Sequence, residues 1–275
     1  MTQKTWFITG TSRGFGREWT TAALRRGDRV AATARDVSSL DDLSGAYGDA
    51  LLPIALDVTD RDADFAAVQR AAEHFGRLDV VVNNAGYGQF GMAEELSESE
   101  FRDQIETNVF GAVWVTQAAL PILRAQGSGH IVQVSSIGGV TAFPNLSAYH
   151  ASKWALEGFS QALAAEVAEF GVRVTLVEPG GFATDWSGPS SRHADPISAY
   201  DPARERRAQQ RARQSAAGAG DPAASAAALL EVVDAAEPPL RVFFGASAFD
   251  IVRPDYEARI ANWEAWDRVA RLAQG

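Results

Sequence analysis

The alternation of short apolar runs with helical stretches constrains the fold of this chain more than any other feature. Several runs are nearly continuous in Val, Ile and Leu, for example the three valines at 80–82, as is typical of parallel strands buried on both faces. We predict strands over 4–9, 29–34, 51–56, 78–83, 130–135, 172–178 and 240–245, and helices over 15–26, 61–75, 98–126, 147–170 and 222–236. This order predicts a doubly wound α/β fold, with helices flanking a parallel sheet of about seven strands.

A glycine-rich turn joins the first predicted strand to the first predicted helix. Its glycines are Gly10, Gly14 and Gly16, in the pattern T-G-x-x-x-G-x-G that begins at Thr9. A strand, a glycine turn and a helix together place backbone N–H groups and a helix N-terminus against a pyrophosphate. The turn therefore indicates a dinucleotide site, although a glycine turn alone is weak support.

Three side chains further along the chain form a candidate catalytic group. Tyr149 and Lys153 are four residues apart in a predicted helix, so the phenol and the ammonium share a face, about 6 Å apart along the axis. A nearby ammonium is expected to lower the pKa of the phenol from about 10. Ser136 can donate a hydrogen bond to an oxygen that exchanges a proton with this phenol. Taken alone, the Tyr-x-x-x-Lys pair is also a common chance spacing.

In combination, these motifs resemble those of the classical short-chain dehydrogenase/reductase family. The matching segments keep the family's order and spacing, and they lie at 9–16, 57–58, 83–86, 108, 135–136, 149–153 and 179–180. The resemblance implies a single-domain, Rossmann-like fold. It also implies an oxidoreductase that interconverts a carbonyl and a secondary alcohol by hydride transfer with a nicotinamide cofactor.

The resemblance implies a role for each catalytic candidate. Tyr149 would be the general acid in reduction and the general base in oxidation. Lys153 would lower the pKa of Tyr149 and bind the nicotinamide ribose, and Ser136 would polarise the substrate oxygen. Asn108 would hold a water that links Lys153 to solvent. Because asparagine is a poor residue inside a helix, its position also indicates a local kink or a function.

The same resemblance implies which residues bind the cofactor. Asp57 and Val58 are expected at the adenine, and Phe182 and Thr184 at the nicotinamide. The full set is Gly10, Ser12, Arg13, Gly14, Phe15, Gly16, Arg35, Asp57, Val58, Asn84, Ala85, Gly86, Tyr149, Lys153, Pro179, Gly180, Phe182 and Thr184.

Residues at the end of the second strand decide between NADP and NAD. A carboxylate there selects NAD, whereas arginines accommodate the 2′-phosphate of NADP. Ala34 occupies the place of the selecting acid, Arg35 follows it, and Arg13 lies in the glycine turn. Two guanidiniums suit a phosphate, so we predict NADP (NADPH), with NAD less favoured. Asp36 would favour NAD if the register were one residue different.

The substrate is predicted only as a class. A polar segment over about 186–220 is interpreted as a substrate lid before the sixth helix, and it contains a helix from Asp201 to about Gln214. An apolar or aromatic ketone or alcohol is expected, as in ketoreductases or hydroxysteroid dehydrogenases. The candidate lining residues are Ser136, Gly138, Phe143, Tyr87 and Trp186.

Two other functions stay open. One is a catalytically silent, NADP-binding regulatory protein, against which the complete set of catalytic candidates argues. The other is an enzyme similar to nucleotide-sugar epimerases or dehydratases, which the glycine spacing and the lack of a sizeable C-terminal substrate domain disfavour.

At 275 residues the chain suits one catalytic domain over 1–275. A C-terminal helical tail is predicted over about 254–274, beginning at Pro254. The tail's Trp263 and Trp266 are expected to pack on the domain or on a partner subunit.

Charge and composition restrict the partners and the compartment. The net charge of −10 argues against nucleic acid or an anionic membrane as a partner. The chain has no cysteine, and no Asp, Glu and His cluster indicates a metal. It enters a strand within a few residues and has no apolar run near the roughly 18 residues that span a bilayer. We therefore expect a cytoplasmic protein with a small-molecule substrate, and by resemblance a homodimer or homotetramer.

Overall fold

A computed structural model describes residues 3–184, 186, 188, 191–214 and 218–274, apart from the side chains of residues 210–214. Parts of the predicted lid, at 187, 189, 190 and 215–217, lie outside the described residues.

Seven parallel strands form the central sheet, in the order β3-β2-β1-β4-β6-β7-β9, and β5 and β8 form a separate pair. The order reverses between β1 and β4, which makes their carboxyl ends the switch point of a doubly wound, Rossmann-like sheet. The prediction of a seven-stranded parallel sheet is thus confirmed. The strands are β1 (Thr5–Ile8), β2 (Arg29–Ala34), β3 (Leu51–Ala55), β4 (Val80–Asn83), β5 (Gln89–Phe90), β6 (Gly129–Val134), β7 (Val172–Pro179), β8 (Arg192–His193) and β9 (Arg241–Phe244).

Helices cover both faces of this sheet because its strands are apolar on both faces. Trp6 and Ile8 of β1 join a buried cluster with Trp19 and Leu229, whereas Phe7 joins the cluster on the opposite face. The helices are α1 (Gly14–Arg25), α2 (Asp41–Tyr47), α3 (Arg61–Phe75), α4 (Glu98–Ile105), α5 (Gly111–Gln126), α6 (Ser147–Val167), α7 (Asp201–Gln214), α8 (Pro222–Asp234), α9 (Ala248–Ala265) and α10 (Asp267–Gln274).

The helix predicted over 98–126 is interrupted. Residues Glu106–Phe110 form a π-helical turn between α4 and α5, and Asn108 lies buried within it. A π turn adds a residue to the helix and often marks a functional site. The poor helix propensity of asparagine therefore indicated a real irregularity.

The predicted start of the C-terminal tail was wrong. α9 begins at Ala248, and Pro254 lies inside it. Proline has no N–H to donate to a carbonyl oxygen of the preceding turn, and this loss usually ends a helix. Here the buried side chains of Ala248 and Val252 fasten the first turns of α9 to the protein. Packing thus outweighs the lost hydrogen bond.

The aromatic residues of the tail do not pack on the rest of the described chain as expected. Trp263 is 67% exposed and Trp266 is 62% exposed. Packing on a partner subunit stays a prediction for this surface.

The described part of the chain contains no helix of the length and apolar character that crossing a bilayer requires.

Candidate active site

The predicted site residues gather along one edge of the sheet. Gly10 follows β1, Asn84 follows β4, Ser136 follows β6, and Pro179 ends β7. Carboxyl ends of parallel strands meet at the same edge, where doubly wound sheets bind ligands. The sheet topology thus brings these four residues to one edge, although they lie far apart in the sequence.

The glycine turn forms a tight backbone cradle. Gly10 and Gly14 have φ angles of 70° and 57°, a left-handed conformation that glycine adopts readily. A Cβ on Gly16 would clash with the carbonyl oxygen of Gly10 and lie 2.5 Å from Asn84 Nδ2. The Asn84 amide donates to the carbonyl oxygens of Thr9 and Gly10, each at 2.9 Å. These contacts fix the turn in front of the N-terminus of α1.

The segment after β7 forms the opposite wall of this cleft. The Phe15 and Phe182 rings meet edge to face, with centroids 4.9 Å apart. A Cβ on Gly14 would lie 4.0 Å from Thr184 Cγ2, so the two walls also approach each other at this point. Gly180 is tied to β9 by donating to the carbonyl oxygen of Phe244 at 2.8 Å. A cradle of glycines at a helix N-terminus fits the pyrophosphate of a dinucleotide.

The residues after β2 supply positive charge at the end of this cleft. Ala34 is buried, whereas Arg13 and Arg35 are exposed. Within the described residues, neither guanidinium has an ion pair or hydrogen bond of its own. The Asp36 carboxylate instead accepts from Ser38 Oγ at 2.7 Å and from Ser38 N at 3.0 Å, which lowers the pKa of Asp36. Asp36 therefore caps the next turn.

The expected adenine-binding residues lie in a turn after β3. Asp57 Oδ1 accepts from Thr59 N at 3.1 Å and from Thr59 Oγ1 at 2.9 Å. Val58 is buried against Gly111, where an added Cβ would lie 2.7 Å from Val58 Cγ2. Asp57 thus stabilises its own turn through Thr59, and the residue remains exposed to solvent.

Tyr149 and Lys153 share the buried face of α6. Lys153 Nζ lies 5.8 Å from the centroid of the Tyr149 ring and donates to the carbonyl oxygen of Val134 at 2.8 Å. The Ser136 hydroxyl lies beside the Tyr149 phenol and favours its charged form. The Gly138 N–H donates to Ser136 Oγ at 3.0 Å, which orients the serine. One phenol, one hydroxyl and one amine thus converge at the edge of the sheet.

Burial shifts the pKa of the Tyr149 phenol in the direction opposite to the one expected. It raises the pKa of Tyr149 to about 12, and the nearby Ser136 hydroxyl opposes this only in part. Burial also lowers the pKa of Lys153 to about 8, against the attraction of Glu157. The net shift of the Tyr149 pKa is therefore opposite to the one expected from Lys153 alone, because removing the phenolate from water is the largest cause. Near neutral pH Tyr149 is a protonated phenol, ready to donate.

The π turn places the Asn108 carboxamide beside Lys153. Its Oδ1 accepts from Tyr87 N at 3.1 Å, and its Nδ2 donates to Tyr87 O at 3.0 Å and to Ser152 Oγ at 3.2 Å. A Cβ on Gly86 would lie 3.0 Å from Asn108 Oδ1 and 3.8 Å from Lys153 Nζ. Asn108 therefore fastens the segment after β4 to α6 and holds it against the amine.

An aromatic group covers the Tyr149 ring. The Trp186 ring lies 4.9 Å from that of Tyr149 and 5.4 Å from that of Phe90, between centroids. His193 of β8 stacks on Phe90 at 4.9 Å. Nothing in the sequence indicated Phe90 or His193, because β5 and β8 have two residues each and are too short to show a strand pattern. The lid thus contributes aromatic surface next to the phenol.

Of the other predicted lining residues, Gly138 and Phe143 lie in a loop held by His150. His150 Nδ1 pairs with the carbonyl oxygen of Gly138 at 2.7 Å, and Nε2 accepts from Phe143 N at 2.9 Å. The Tyr87 ring lies elsewhere, with the Arg192 guanidinium 4.6 Å from its centroid. The structure therefore brings Gly138 and Trp186 next to Tyr149, whereas the Tyr87 side chain faces the lid strand β8.

Comparison with known proteins places this arrangement in a family. A family model described as short chain dehydrogenase matches residues 4–195. The oxidoreductase BOA17 of Botryotinia fuckeliana is 44% identical over 264 residues, which is 96% of each chain. A solved short-chain dehydrogenase from Streptomyces avermitilis is 41% identical, with a TM-score of 0.89 over 98% of both chains.

Two further solved structures are similar to this chain and contain nicotinamide cofactors. An alcohol dehydrogenase from Thermococcus sibiricus, complexed with 5-hydroxy-NADP, is 28% identical, with a TM-score of 0.72 over 88% of this chain and 96% of that one. A 3-ketoacyl-(acyl-carrier-protein) reductase from Brucella melitensis, complexed with NADH, is 26% identical, with a TM-score of 0.75 over 88% and 97%. From the family match, the identities and the shared fold, the chain belongs to the short-chain dehydrogenase family of oxidoreductases.

Proposed function

We propose that this protein is an NADP-dependent oxidoreductase that reduces a carbonyl, or oxidises the matching secondary alcohol, with Tyr149 as the proton-transfer group. One observation carries the proposal: the Tyr149 phenol, with Ser136 beside it and Lys153 one turn further along α6, lies at the same sheet edge as the glycine cradle. A dinucleotide site and a proton donor at one edge are what such a reaction needs.

The bound cofactor supplies the hydride. Tyr149, protonated near neutral pH, donates its proton to the carbonyl oxygen as that oxygen gains negative charge. Ser136 donates a hydrogen bond to the same oxygen. The Lys153 amine lies close enough to stabilise the phenolate that remains. Oxidation of the alcohol is the reverse reaction and begins from the phenolate.

The aromatic surroundings support an apolar or aromatic substrate. Trp186 covers the Tyr149 ring, Phe90 packs against Trp186, and Phe143 lies in the loop after Ser136. Such surfaces bind flat or apolar groups better than charged ones. This reading disfavours a nucleotide sugar, and the full catalytic set disfavours a silent regulator.

The function is tested by following NADPH absorbance with aldehydes, ketosteroids, diketones and quinones, and with NADH in parallel. We expect turnover with at least one apolar ketone. Interconversion of UDP-sugars without net NADPH consumption would instead support an epimerase. Tight NADPH binding with no turnover across the panel would support the regulatory alternative.

A change at the two arginines is expected to alter cofactor preference. The double substitution Arg13→Ala and Arg35→Ala removes two charged donors from the phosphate end of the cleft. Each such hydrogen bond contributes about 1.5–3 kcal/mol, so losing both should raise KM for NADPH roughly 10²- to 10⁴-fold, with little change for NADH. Steady-state kinetics with both cofactors measures this.

The exposed Arg70 of α3 supplies a charge control, as Arg70→Ala removes a positive charge away from the cleft. The KM values of Arg70→Ala for NADPH and for NADH should match those of the wild type. Equal losses for NADH and NADPH in the double variant would contradict the assignment of the arginines to a 2′-phosphate.

A further inference from the structure

A buried acidic cluster lies behind the catalytic lysine. Glu157 is 5% exposed and Glu178 is 1% exposed. Arg241 Nε lies 2.9 Å from Glu157 Oε2 and 3.5 Å from Glu178 Oε1. Two buried carboxyls thus share one guanidinium, whose Nη2 donates to Gln161 Oε1 at 2.9 Å near the surface. Buried charges are costly and are rarely retained without a role.

Glu157 continues the spacing of the catalytic pair. Tyr149, Lys153 and Glu157 follow one another at intervals of four, so all three lie on the buried face of α6. The attraction of Glu157 opposes the effect of burial on the pKa of Lys153. The carboxylate also borders the end of β6, since a Cβ on Gly139 would lie 2.5 Å from Ser135 Oγ and 3.3 Å from Glu157 Oε1.

We propose that Glu157 is a positioning residue that keeps Lys153 protonated, and that Arg241 keeps Glu157 ionised. The importance of a charged Lys153 rests on the function proposed above, but the electrostatic link itself does not.

The carboxyls of Glu157 and Glu178 lie at different distances from the Arg241 guanidinium. Burial raises the pKa of both groups, that of Glu178 to about 8. Glu178 therefore carries a proton near neutral pH, whereas the shorter contact with the guanidinium favours the charged form of Glu157. The titratable and charged groups around the cluster are Tyr149 and Lys153 on α6, Glu178 on β7, Arg241 on β9, and Tyr256 and Arg259 on α9.

The sequence makes a direct test possible because it contains two lysines, Lys4 and Lys153. Lysine labelled with ¹³C at the ε carbon gives two side-chain signals, whose shifts report protonation as the pH is raised. Lys4, at the protein surface with Asp234 as its partner, serves as an internal reference.

In Glu157→Gln the midpoint for Lys153 should fall by about one pH unit, because residues four apart on a helix are neighbours, roughly 5–6 Å between Cβ atoms, and an opposite charge at about that range shifts a pKa by about one to three units. Lys4 should not change. Arg241→Gln should also lower the Lys153 midpoint, because Glu157 without its guanidinium partner would take up a proton and lose its charge. Glu178→Gln, which mimics the protonated acid, is the matched control and should leave the midpoint nearly unchanged.

An unchanged Lys153 midpoint in a folded Glu157→Gln protein, verified by near-UV circular dichroism, overturns the proposal. A fall in Glu157→Gln without one in Arg241→Gln overturns the part assigned to Arg241. The titration needs no substrate, so an inactive protein with the expected shifts would refute the proposed function and leave this inference standing.

Discussion

Tyr149→Phe is expected to lower kcat for carbonyl reduction by about 10² to 10⁴, the usual contribution of a positioned general acid. Phenylalanine keeps the ring that packs against Trp186, with centroids 4.9 Å apart in the wild type, and removes only the proton donor. Binding of NADPH, followed by fluorescence titration, should change by less than about threefold. Stopped-flow hydride transfer with a ketone found in the screen measures the loss.

Tyr87→Phe is the matched control for this substitution. It removes a hydroxyl of the same kind near the site, one that meets Arg192 at 3.4 Å and has no described contact with Tyr149. Its kcat should stay within a few-fold of the wild type. Comparable losses in both variants, or full activity of Tyr149→Phe, would refute the role of Tyr149; full biological activity of a Phe variant without turnover would favour a regulatory protein.

Gly16→Ala is expected to weaken NADPH binding by at least about tenfold and to lower Tm. The new methyl would clash with the carbonyl oxygen of Gly10 and lie 2.5 Å from Asn84 Nδ2. Because the carbonyl oxygen of Gly10 belongs to the backbone, the turn itself would have to move to admit the methyl group. Overpacking of this kind costs about 1–3 kcal/mol, and each 1.4 kcal/mol lost from binding is a factor of ten. Isothermal titration with NADPH and thermal unfolding measure the two effects.

Gly45→Ala in α2 provides the comparison, because no atom lies within 4 Å of a Cβ placed there. Alanine is also the better helix former by about 1 kcal/mol, so Tm should be equal or higher. If Gly16→Ala binds NADPH as tightly as Gly45→Ala, the turn after β1 is not the cofactor cradle.

Local patterns predicted the sheet because parallel strands leave a strong signal in the sequence. The seven strands of the sheet lie within about two residues of their predicted ends, since strands covered on both faces must be apolar throughout. The pair β5 and β8 escaped prediction, as two residues carry no periodicity. The start of α9 was missed because proline usually ends a helix, and the packing of Val252 that overrides it is a tertiary contact.

The motifs also located the sheet edge that carries the site, because turns after parallel strands meet there. They indicated Trp186 but neither Phe90 nor His193, which approach Tyr149 through Trp186 only after the chain has folded. Glu157 was detectable in principle, as a charged residue one further turn along the face that holds Tyr149 and Lys153. Nothing in that spacing reveals that Arg241, 84 positions away, holds it.

By itself, the sequence determined the layered architecture, and it singled out the tyrosine, serine and lysine that are proposed to transfer the proton. The architecture follows from apolar periodicity and glycine placement, which act over a few residues, whereas the three side chains were selected by their resemblance to the family's motifs. Only the tertiary structure decided the charge state of Tyr149 and Lys153. A pKa depends on how much water is excluded and which distant charges approach, and both are set by the packing of β6, β7, β9 and α6 around the two side chains.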